Sequence, residues 1–341
     1  MIPGAQRRLS PEITGELRTI SHVPDVDGGS SSSDTHCVTN RIQALLNVEY
    51  PVVQAPMTYI ARAELAAAVS EAGGLGMIET LTEEGRADLR RVRELTDKPV
   101  AANLMIQGWK KDPSIVDALA DAHVRHVFTS AGDPALFTAR LHDAGMTVVH
   151  VVGSLKGALK AEAAGVDALV VEGVEGGGFK SALGASTMVL LPLVSEAVDL
   201  PIIAAGGMCD ARSAAAALVL GAEGVQMGTR MLASREALVH ANFKDAIVAA
   251  DDSGTVLLDI PGNPTMRVLR TGLAARVVAD DPGVKLLGAI TDLYFGGDME
   301  ASVANTGQVS SRIAGLLSVA EIVRGTWGDV EAALDVAMSR R

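Results

Sequence analysis

Two glycine-ended turns lie late in the chain, and both could hold a phosphate group. Gly206 and Gly207 follow the apolar run that begins at Pro201, and Gly228 and Thr229 end the next apolar run. Glycine lets the backbone approach a ligand without a Cβ, and N–H groups at the start of a helix can face an anion. The same glycines could instead serve tight turns. Because two adjacent runs end in this way, the pattern favours a phosphate cradle.

Three titratable side chains could act as an acid or a base near these turns. His150 occurs in the run TVVHVV at the end of the fifth predicted strand, and its register predicts that the imidazole points into or beside the ligand-binding end, although a core histidine is the alternative. Lys180 follows the glycine-rich stretch EGVEGGGF, where a solvent-facing lysine is the alternative. Tyr59 offers a weakly acidic phenol. We take His150 and Lys180 as the candidate catalytic residues.

The elements that must position these residues alternate from Pro51 onward between short apolar runs and helical stretches. The predicted strands are Pro51–Ala55, Leu75–Glu79, Pro99–Met105, His126–Ala131, Thr147–Val152, Ala168–Gly173, Pro201–Gly207 and Gly224–Arg230. The predicted helices are Arg62–Ala72, Glu84–Leu95, Ser114–Ala122, Ala135–Ala144, Ser154–Ala164, Thr187–Val198 and Ala211–Leu220. Eight such strands predict an α/β fold, a (β/α)8 TIM barrel whose ligand site lies at the carboxyl ends of the strands. A doubly wound open sheet is the alternative, but it would usually carry its nucleotide at the first strand–helix turn.

The chain divides by composition into three parts. Residues 1–40 contain a Ser/Gly/Asp-rich run without apolar periodicity, which predicts a flexible leader. Residues 41–235 carry the barrel pattern, and residues 236–341 are turn-rich and irregular. We expect this last part to form a cap or lid and terminal helices packed on the barrel.

Charge and composition exclude several classes of partner. The formal net charge is −12, from 29 Lys and Arg against 41 Asp and Glu, which argues against binding to nucleic acid or an anionic membrane surface. The two cysteines form no metal-ligand or disulfide pattern, and no apolar run is long enough to span a membrane. These features predict a cytoplasmic protein with a small-molecule substrate, and they leave its oligomeric state open.

Six motifs in the same order resemble the nitronate monooxygenase (2-nitropropane dioxygenase) family of flavin enzymes. They are PVVQAPM (Pro51–Met57), EAGGLGMI (Glu71–Ile78), the Asn of AANLM (Asn103), EGVEGGGF (Glu172–Phe179), AAGGMCDAR and GVQMGTRML. The resemblance spans residues 41–315. The family that it indicates also includes NAD(P)H:quinone reductases and flavin-dependent enoyl-thioester reductases. Several ordered motifs are far more specific than a single glycine motif.

The resemblance implies a flavoprotein that binds FMN, with NADH or NADPH as candidate electron donors. It places the FMN phosphate on Gly207, Gly228 and Thr229. The other implied or candidate cofactor contacts are Met57, Asn103, Glu172, Gly177, Gly206, Gln226 and Met227. From the residues alone, Asn103 could instead close a strand-end turn and Met57 could be a core residue. The segment Val303–Val309 resembles the C-terminal lid of the family, although its Asn305 and Gln308 could equally cap a helix.

Two residues depart from the family pattern. Glu172 stands where the family often has Gln, and Phe179 stands where it typically has a catalytic His. A phenyl ring can neither accept nor donate a proton, so the second departure weighs against nitronate oxidation. It favours hydride relay through flavin, which requires less acid–base help from the protein.

The leading functional prediction is therefore an FMN-dependent oxidoreductase. Its reaction would be either the oxidation of a nitronate, as in a monooxygenase, or the relay of hydride from NAD(P)H to a small organic acceptor. The alternatives are an NAD(P)H:quinone or enoyl-thioester reductase and a redox-neutral flavin-dependent isomerase or flavin-binding protein. A barrel like that of inosine-monophosphate dehydrogenase is disfavoured, because the loop GVEGGGFKSALGAS lacks the required nucleophilic cysteine.

Overall fold

The structure is a computed structural model that describes residues 40–281, 283–284, 286 and 288–340. The leader predicted over residues 1–40 therefore lies outside the described residues, apart from Asn40. The later parts of the chain, barrel and C-terminal segment together, belong to one compact unit. Within the described residues, no helix is long and apolar enough to cross a bilayer.

Eight parallel strands form one sheet in the order β1-β9-β8-β6-β5-β4-β3-β2. These strands are β1 Val52–Gln54, β2 Gly76–Glu79, β3 Val100–Met105, β4 His126–Ser130, β5 Thr147–Val152, β6 Ala168–Glu172, β8 Ile202–Ala205 and β9 Gly224–Met227. All eight predicted strands are present, and the predicted (β/α)8 barrel is confirmed. Two predicted strands extend too far, because Gly206 and Gly207 end β8 with φ of +81° and +86°, and a helix begins at Thr229.

The barrel closes between β1 and β2 through a short seam. The N–H of Leu75 donates to the Val52 carbonyl and the N–H of Gln54 donates to the Leu75 carbonyl, both at 3.0 Å. The Gln54 side chain then continues the seam: its Nε2 donates to the Met77 carbonyl at 2.9 Å and its Oε1 accepts from the Met77 N–H at 3.4 Å. A fully buried side-chain amide thus replaces a backbone peptide where the strands separate.

Helices cover the outside of the barrel and the C-terminal part. They are α1 Arg41–Leu46, α2 Ala63–Glu71, α3 Glu83–Arg91, α4 Ile106–Trp109, α5 Ile115–Asp121, α6 Thr138–Asp143, α7 Leu155–Ala163, α8 Thr187–Ser195, α9 Ala211–Val219, α10 Thr229–Leu232, α11 Ala241–Val248, α12 Gly272–Val278, α13 Ile290–Tyr294, α14 Val319–Gly328 and α15 Val330–Met338. Short 3-10 helices occupy Val92–Glu94, Pro134–Leu136 and Gln308–Arg312. The seven predicted helices are all present, with Ala135–Ala144 divided between a 3-10 turn and α6.

The eighth outer helix of the barrel comes from the C-terminal part. The helix that follows β9, α10, is only 4 residues long. α14 instead packs against α2, α9 and β1, which is the gap that an eighth barrel helix would fill. The ring of helices therefore extends beyond residue 235, the end of the barrel in the sequence prediction.

Alternating side chains divide the core into an inner and an outer layer. Val53, Phe128, Val149 and Ile203 face inward with their equivalents on the other strands, and α1 packs its apolar residues against them. The intervening strand residues pack against the helices. Because both faces of every strand are buried, the strands have continuous apolar sequences.

A second, three-stranded sheet contains a piece of the loop after β6. It consists of β10 Thr255–Leu258, β11 Met266–Leu269 and β7 Gly178–Phe179, all antiparallel. This sheet ties the C-terminal part to the carboxyl ends of the barrel strands, because β7 follows directly from the loop that leaves β6.

Candidate active site

The first glycine turn leaves space beside its backbone. A Cβ built on Gly207 would have no atom within 4 Å, whereas one on Gly206 would lie 2.9 Å from the Gly173 carbonyl oxygen. α9 begins just beyond this turn with a capping box, in which Asp210 and Ser213 satisfy each other's backbone N–H groups. Gly206 is therefore required by packing, and Gly207 faces open space at the strand ends.

The second glycine turn lies beside Met57. A Cβ on Gly228 would lie 3.4 Å from Cβ of Ala55 and 3.9 Å from the Met57 sulfur. Thr229 follows as the first residue of α10, and its hydroxyl accepts a hydrogen bond from the Gly307 N–H at 2.9 Å. The structure therefore brings Met57, Gly228 and Thr229 together at the ends of the two adjacent strands β1 and β9.

Gln226 presents a buried polar atom with no partner. Its neighbour Val225 packs in the outer layer, so Gln226 faces the barrel interior at the end of β9. The residue is 5% exposed, and its Oε1 accepts no hydrogen bond within the described residues. The next residue, Met227, faces outward into the helix layer and its carbonyl accepts from the Ala55 N–H. A buried acceptor without a donor indicates a missing partner at this position.

Asn103 lies on β3 and faces the barrel interior near the carboxyl ends of the strands, which we call the mouth of the barrel. Its Nδ2 donates to the Phe128 carbonyl at 2.8 Å and to the Ser130 hydroxyl at 3.2 Å. Both donor hydrogens are therefore used by β4, and within the described residues no group donates to Oδ1. Asn103 thus bridges β3 to β4 through its Nδ2, and its Oδ1 remains without a donor among the described residues.

The C-terminal segment returns to the mouth, as its resemblance to the family lid implies. Gly177 and Gly307 meet without side chains: a Cβ on Gly177 would lie 2.8 Å from the Thr306 carbonyl carbon, and one on Gly307 would lie 2.8 Å from the Glu175 carbonyl oxygen. The Gln308 N–H donates to that same carbonyl at 2.9 Å. Glycine at both positions therefore allows the lid segment to touch the loop after β6.

His150 lies away from the mouth, which corrects the register expected from the sequence. Its neighbours Val149 and Val151 face the barrel interior, so the imidazole faces the helix layer. There Nδ1 lies 2.8 Å from the Thr129 hydroxyl, and burial lowers the pKa of His150 to about 4. The placement removes the geometric argument for a catalytic His150 and favours the core histidine.

Glu172 and Lys180 form an ion pair at the mouth. Glu172 ends β6 with the same inward register as Val170, and its carboxylate forms a salt bridge with the Lys180 ammonium. The Lys180 side chain is only 2% exposed, so it is not the solvent-facing lysine considered from the sequence. Phe179, the preceding residue of the extended segment, is half-exposed.

The nitronate monooxygenase family profile matches residues 39–123 and 105–326. The chain belongs to the nitronate monooxygenase family. The resemblance drawn from the six sequence motifs is therefore confirmed.

Several individual members are similar to the chain. Two proteins named (3aS,4S,5R,7aS)-5-hydroxy-7a-methyl-1-oxo-octahydro-1H-indene-4-carboxyl-CoA dehydrogenase, from Rhodococcus jostii and Mycobacterium tuberculosis, are each 37% identical over 67% and 68% of this chain. The matches span 65% and 66% of the lengths of those relatives, slightly less than two thirds. A nitronate monooxygenase from Pseudomonas aeruginosa is 32% identical over 64% of this chain and 76% of its own.

Solved structures of similar proteins support the same architecture. FabK from Thermotoga maritima has a TM-score of 0.82 and 34% identity, and the match covers 88% of this chain and 99% of FabK. A nitroalkane oxidase from Streptomyces ansochromogenes has a TM-score of 0.72 and 27% identity, over 86% of this chain and 99% of its own.

Sequence reasoning missed the residue that fixes the loop after β6 in this family member. Arg267 on β11 is 7% exposed, and its Nε donates to the Val174 carbonyl at 2.7 Å. Burial lowers the pKa of this guanidinium, and the nearby Glu175 carboxylate opposes that shift. The available signal was a single arginine inside the apolar run TMRVL, since a charge in a buried strand needs a partner.

Proposed function

We propose that the chain is an FMN-dependent oxidoreductase with the flavin phosphate on Gly207, Gly228 and Thr229. The observation that carries the proposal is the buried, unpartnered Oε1 of Gln226 at the end of β9. An unsatisfied buried acceptor costs about 1 to 3 kcal/mol, which a ligand N–H or O–H would remove. The open space at Gly207 adds room for a phosphate beside backbone N–H groups.

Two further residues at the mouth of the barrel could contact the ring of FMN. The free Oδ1 of Asn103 can accept from a ring N–H, and Met57 can lie against an apolar ring face. The single terminal phosphate of FMN fits the two glycine turns, and we find no dinucleotide fingerprint that would favour FAD. Bound FMN would carry the electrons of the reaction, with NADH or NADPH as candidate donors, while the protein binds and orients the substrate.

A coenzyme A thioester is the second candidate substrate class, beside a nitronate. Two relatives with 37% identity are named carboxyl-CoA dehydrogenases, and Phe179 replaces the histidine that the family pattern provides for nitronate chemistry. The two classes can be separated by measuring kcat/KM for propionate 3-nitronate in the wild-type protein and in Phe179→His. If no other group in the site takes the proton, the histidine should raise nitronate turnover by about 100-fold. Without such a gain, the thioester would be favoured only if the wild-type protein also turns over a coenzyme A thioester faster than the nitronate.

A matched pair of glycine variants tests the cofactor site. Gly207 and Gly165 have φ of +86° and +77°, and neither has an atom within 4 Å of an added Cβ. Alanine therefore introduces similar backbone strain, on the order of 1 to 2 kcal/mol, at both positions. Only Gly207→Ala should weaken FMN binding, by about tenfold to a hundredfold if one charge-assisted hydrogen bond is lost.

The measurement is FMN affinity by fluorescence quenching after removal and readdition of the flavin, with chromatographic identification of the released cofactor. Equal affinities in the Gly207→Ala and Gly165→Ala variants would place the phosphate elsewhere. Release of FAD, or failure of the wild-type protein to bind FMN, would refute the cofactor assignment itself.

A further inference from the structure

The Glu172–Lys180 pair is arranged so that the carboxylate is accessible and the ammonium is enclosed. The Glu172 side chain is 27% exposed, whereas the Lys180 side chain is 2% exposed. Lys180 contacts Oε1 of Glu172. No hydrogen bond from the part of the chain that the structure describes reaches the other oxygen, Oε2. One oxygen thus contacts Lys180, whereas the other has no hydrogen bond from the described residues and belongs to a partly exposed side chain at the carboxyl end of β6.

The backbone leaves room for this pair at Gly176. A Cβ added there would collide with Oε1 of Glu172 and would lie 2.8 Å from Nζ of Lys180. Even the smallest side chain would therefore displace the ammonium or the carboxylate. Gly176 ends a turn, but its φ is not positive and the turn does not itself require glycine, whereas the ion pair leaves no room for a side chain.

The loop that carries the pair is fixed on both sides. The Lys180 N–H donates to the Thr265 carbonyl at 2.8 Å, and the Val174 carbonyl accepts from Nε of Arg267 at 2.7 Å. The Glu175 carboxylate also accepts from the Thr187 N–H at 3.0 Å. The carboxylate of Glu172 is therefore oriented before any substrate binds, as catalysis by positioning requires.

The other acidic residue at a strand end is already satisfied. Glu79 ends β2 and is 1% exposed. Its carboxylate accepts from the N–H groups of Leu81 and Thr82 at 2.9 and 3.1 Å and from the Thr82 hydroxyl. Among the titratable groups at the carboxyl ends of the eight described barrel strands, Glu172 is the one with an oxygen free toward the mouth.

We propose that Glu172 is the proton acceptor of the reaction and that Lys180 is its positioning residue. The carboxylate takes a proton from a substrate carbon next to a thioester carbonyl or next to the nitro group of a neutral nitroalkane, the conjugate acid of a nitronate. The C–H bond breaks, an O–H bond forms on Glu172, and the electron pair stays on the substrate as a nitronate or an enolate. This step needs no oxidant. It rests on the proposed function in placing the substrate at the same mouth, and it supplies the base that Phe179 cannot.

Deuterium exchange tests the proton transfer apart from electron transfer. The FMN-loaded protein is incubated without oxygen in D2O with nitroethane or with propionyl-CoA, and deuterium at the acidic carbon is followed by mass spectrometry. The wild-type protein should accelerate exchange in one probe, which identifies the acidifying group. Glu172→Gln keeps an oxygen for Lys180 but removes the base, so exchange should fall by about 10² to 10⁴.

Variants at Lys180 test the positioning role. Lys180→Met should lower exchange by about tenfold to a hundredfold, and Lys180→Arg should restore most of it. If Lys180 acts through Glu172, a variant with both Lys180→Met and Glu172→Gln should exchange at the same rate as Glu172→Gln alone. If the two residues act independently, their effects on the activation free energy should add. Glu172→Asp, which keeps a shortened carboxylate, should retain partial exchange and provides a second test if Glu172→Gln does not fold.

The outcomes separate this inference from the cofactor proposal. Flavin content is measured in the same samples by absorbance, and loss of flavin with intact exchange would contradict only the FMN assignment. The role of Glu172 would be overturned if the wild-type protein exchanged both probes at the rate of buffer alone. It would also be overturned if Glu172→Gln exchanged as fast as the wild type. A Lys180→Met variant with unchanged exchange would overturn the role of Lys180.

Discussion

Two buried histidines should make the fold lose stability in mild acid. Burial is the main cause that lowers the pKa of both His126 and His150 from 6.5 to about 4. The unfolded chain binds protons with the ordinary pKa, so acid favours unfolding. The stabilising contribution is complete above pH 6.5 and is lost as the pH falls toward 4. Between pH 7.5 and 5.5, linkage predicts a loss of roughly 1 to 2 kcal/mol per histidine and about 3 kcal/mol for both.

Urea unfolding at these two pH values and constant ionic strength measures the effect. His126→Asn and His150→Asn should each remove about half of the pH-dependent loss, even if both variants are less stable at pH 7.5 because their packing has changed. The quantity to compare is therefore the difference between the two pH values. The reasoning fails if each single variant retains the full wild-type difference, since another group would then be responsible.

Three further substitutions test the seam, the lid contact and the second glycine turn. Gln54→Leu should destabilise the fold by about 2 to 4 kcal/mol, measured by urea unfolding, because it leaves the N–H and carbonyl of Met77 buried without partners; an unchanged midpoint would contradict the seam. Gly177→Ala should lower the melting temperature, because overpacking against the lid segment costs about 1 to 3 kcal/mol; an unchanged melting temperature would mean the lid can yield. Gly228→Asp should abolish FMN retention, whereas the exposed control Gly328→Asp should not; equal flavin content would exclude this turn.

The barrel could be predicted from the sequence because strands such as β8 are marked at both ends by residues that favour turns. The run PIIAAGG begins with a proline and ends at two glycines, and the structure has β8 between them. The helices that follow carry polar starts such as Asp210 and Ser154, which cap α9 and α7 in the structure. Local signals of this kind do not depend on tertiary contacts, since they act within one helical turn of the residues that carry them. They can therefore be recognised in the sequence.

The orientation of individual side chains was harder to predict. In TVVHVV both faces of the strand carry apolar residues, so the period of two that normally distinguishes the inner face from the outer face is absent. A shift of one residue moves His150 from the mouth to the helix layer. The eighth outer helix could not be assigned to the barrel from the sequence either, because α14 begins at residue 319, far along the chain from β9.

The departures at Glu172 and Phe179 look independent in the sequence, but the structure connects them through Lys180. Considered separately, Glu172 adds a charge beside the expected flavin, and Phe179 removes a base. In the fold, Lys180 balances the added charge, and Gly176 leaves room for both groups. Enclosing an ammonium in an ion pair is costly and is weak evidence for stability, so the presence of this pair at the carboxyl end of a barrel strand favours a chemical role. The two departures are then parts of one exchange, in which the proton-accepting group moves from the loop to the end of β6.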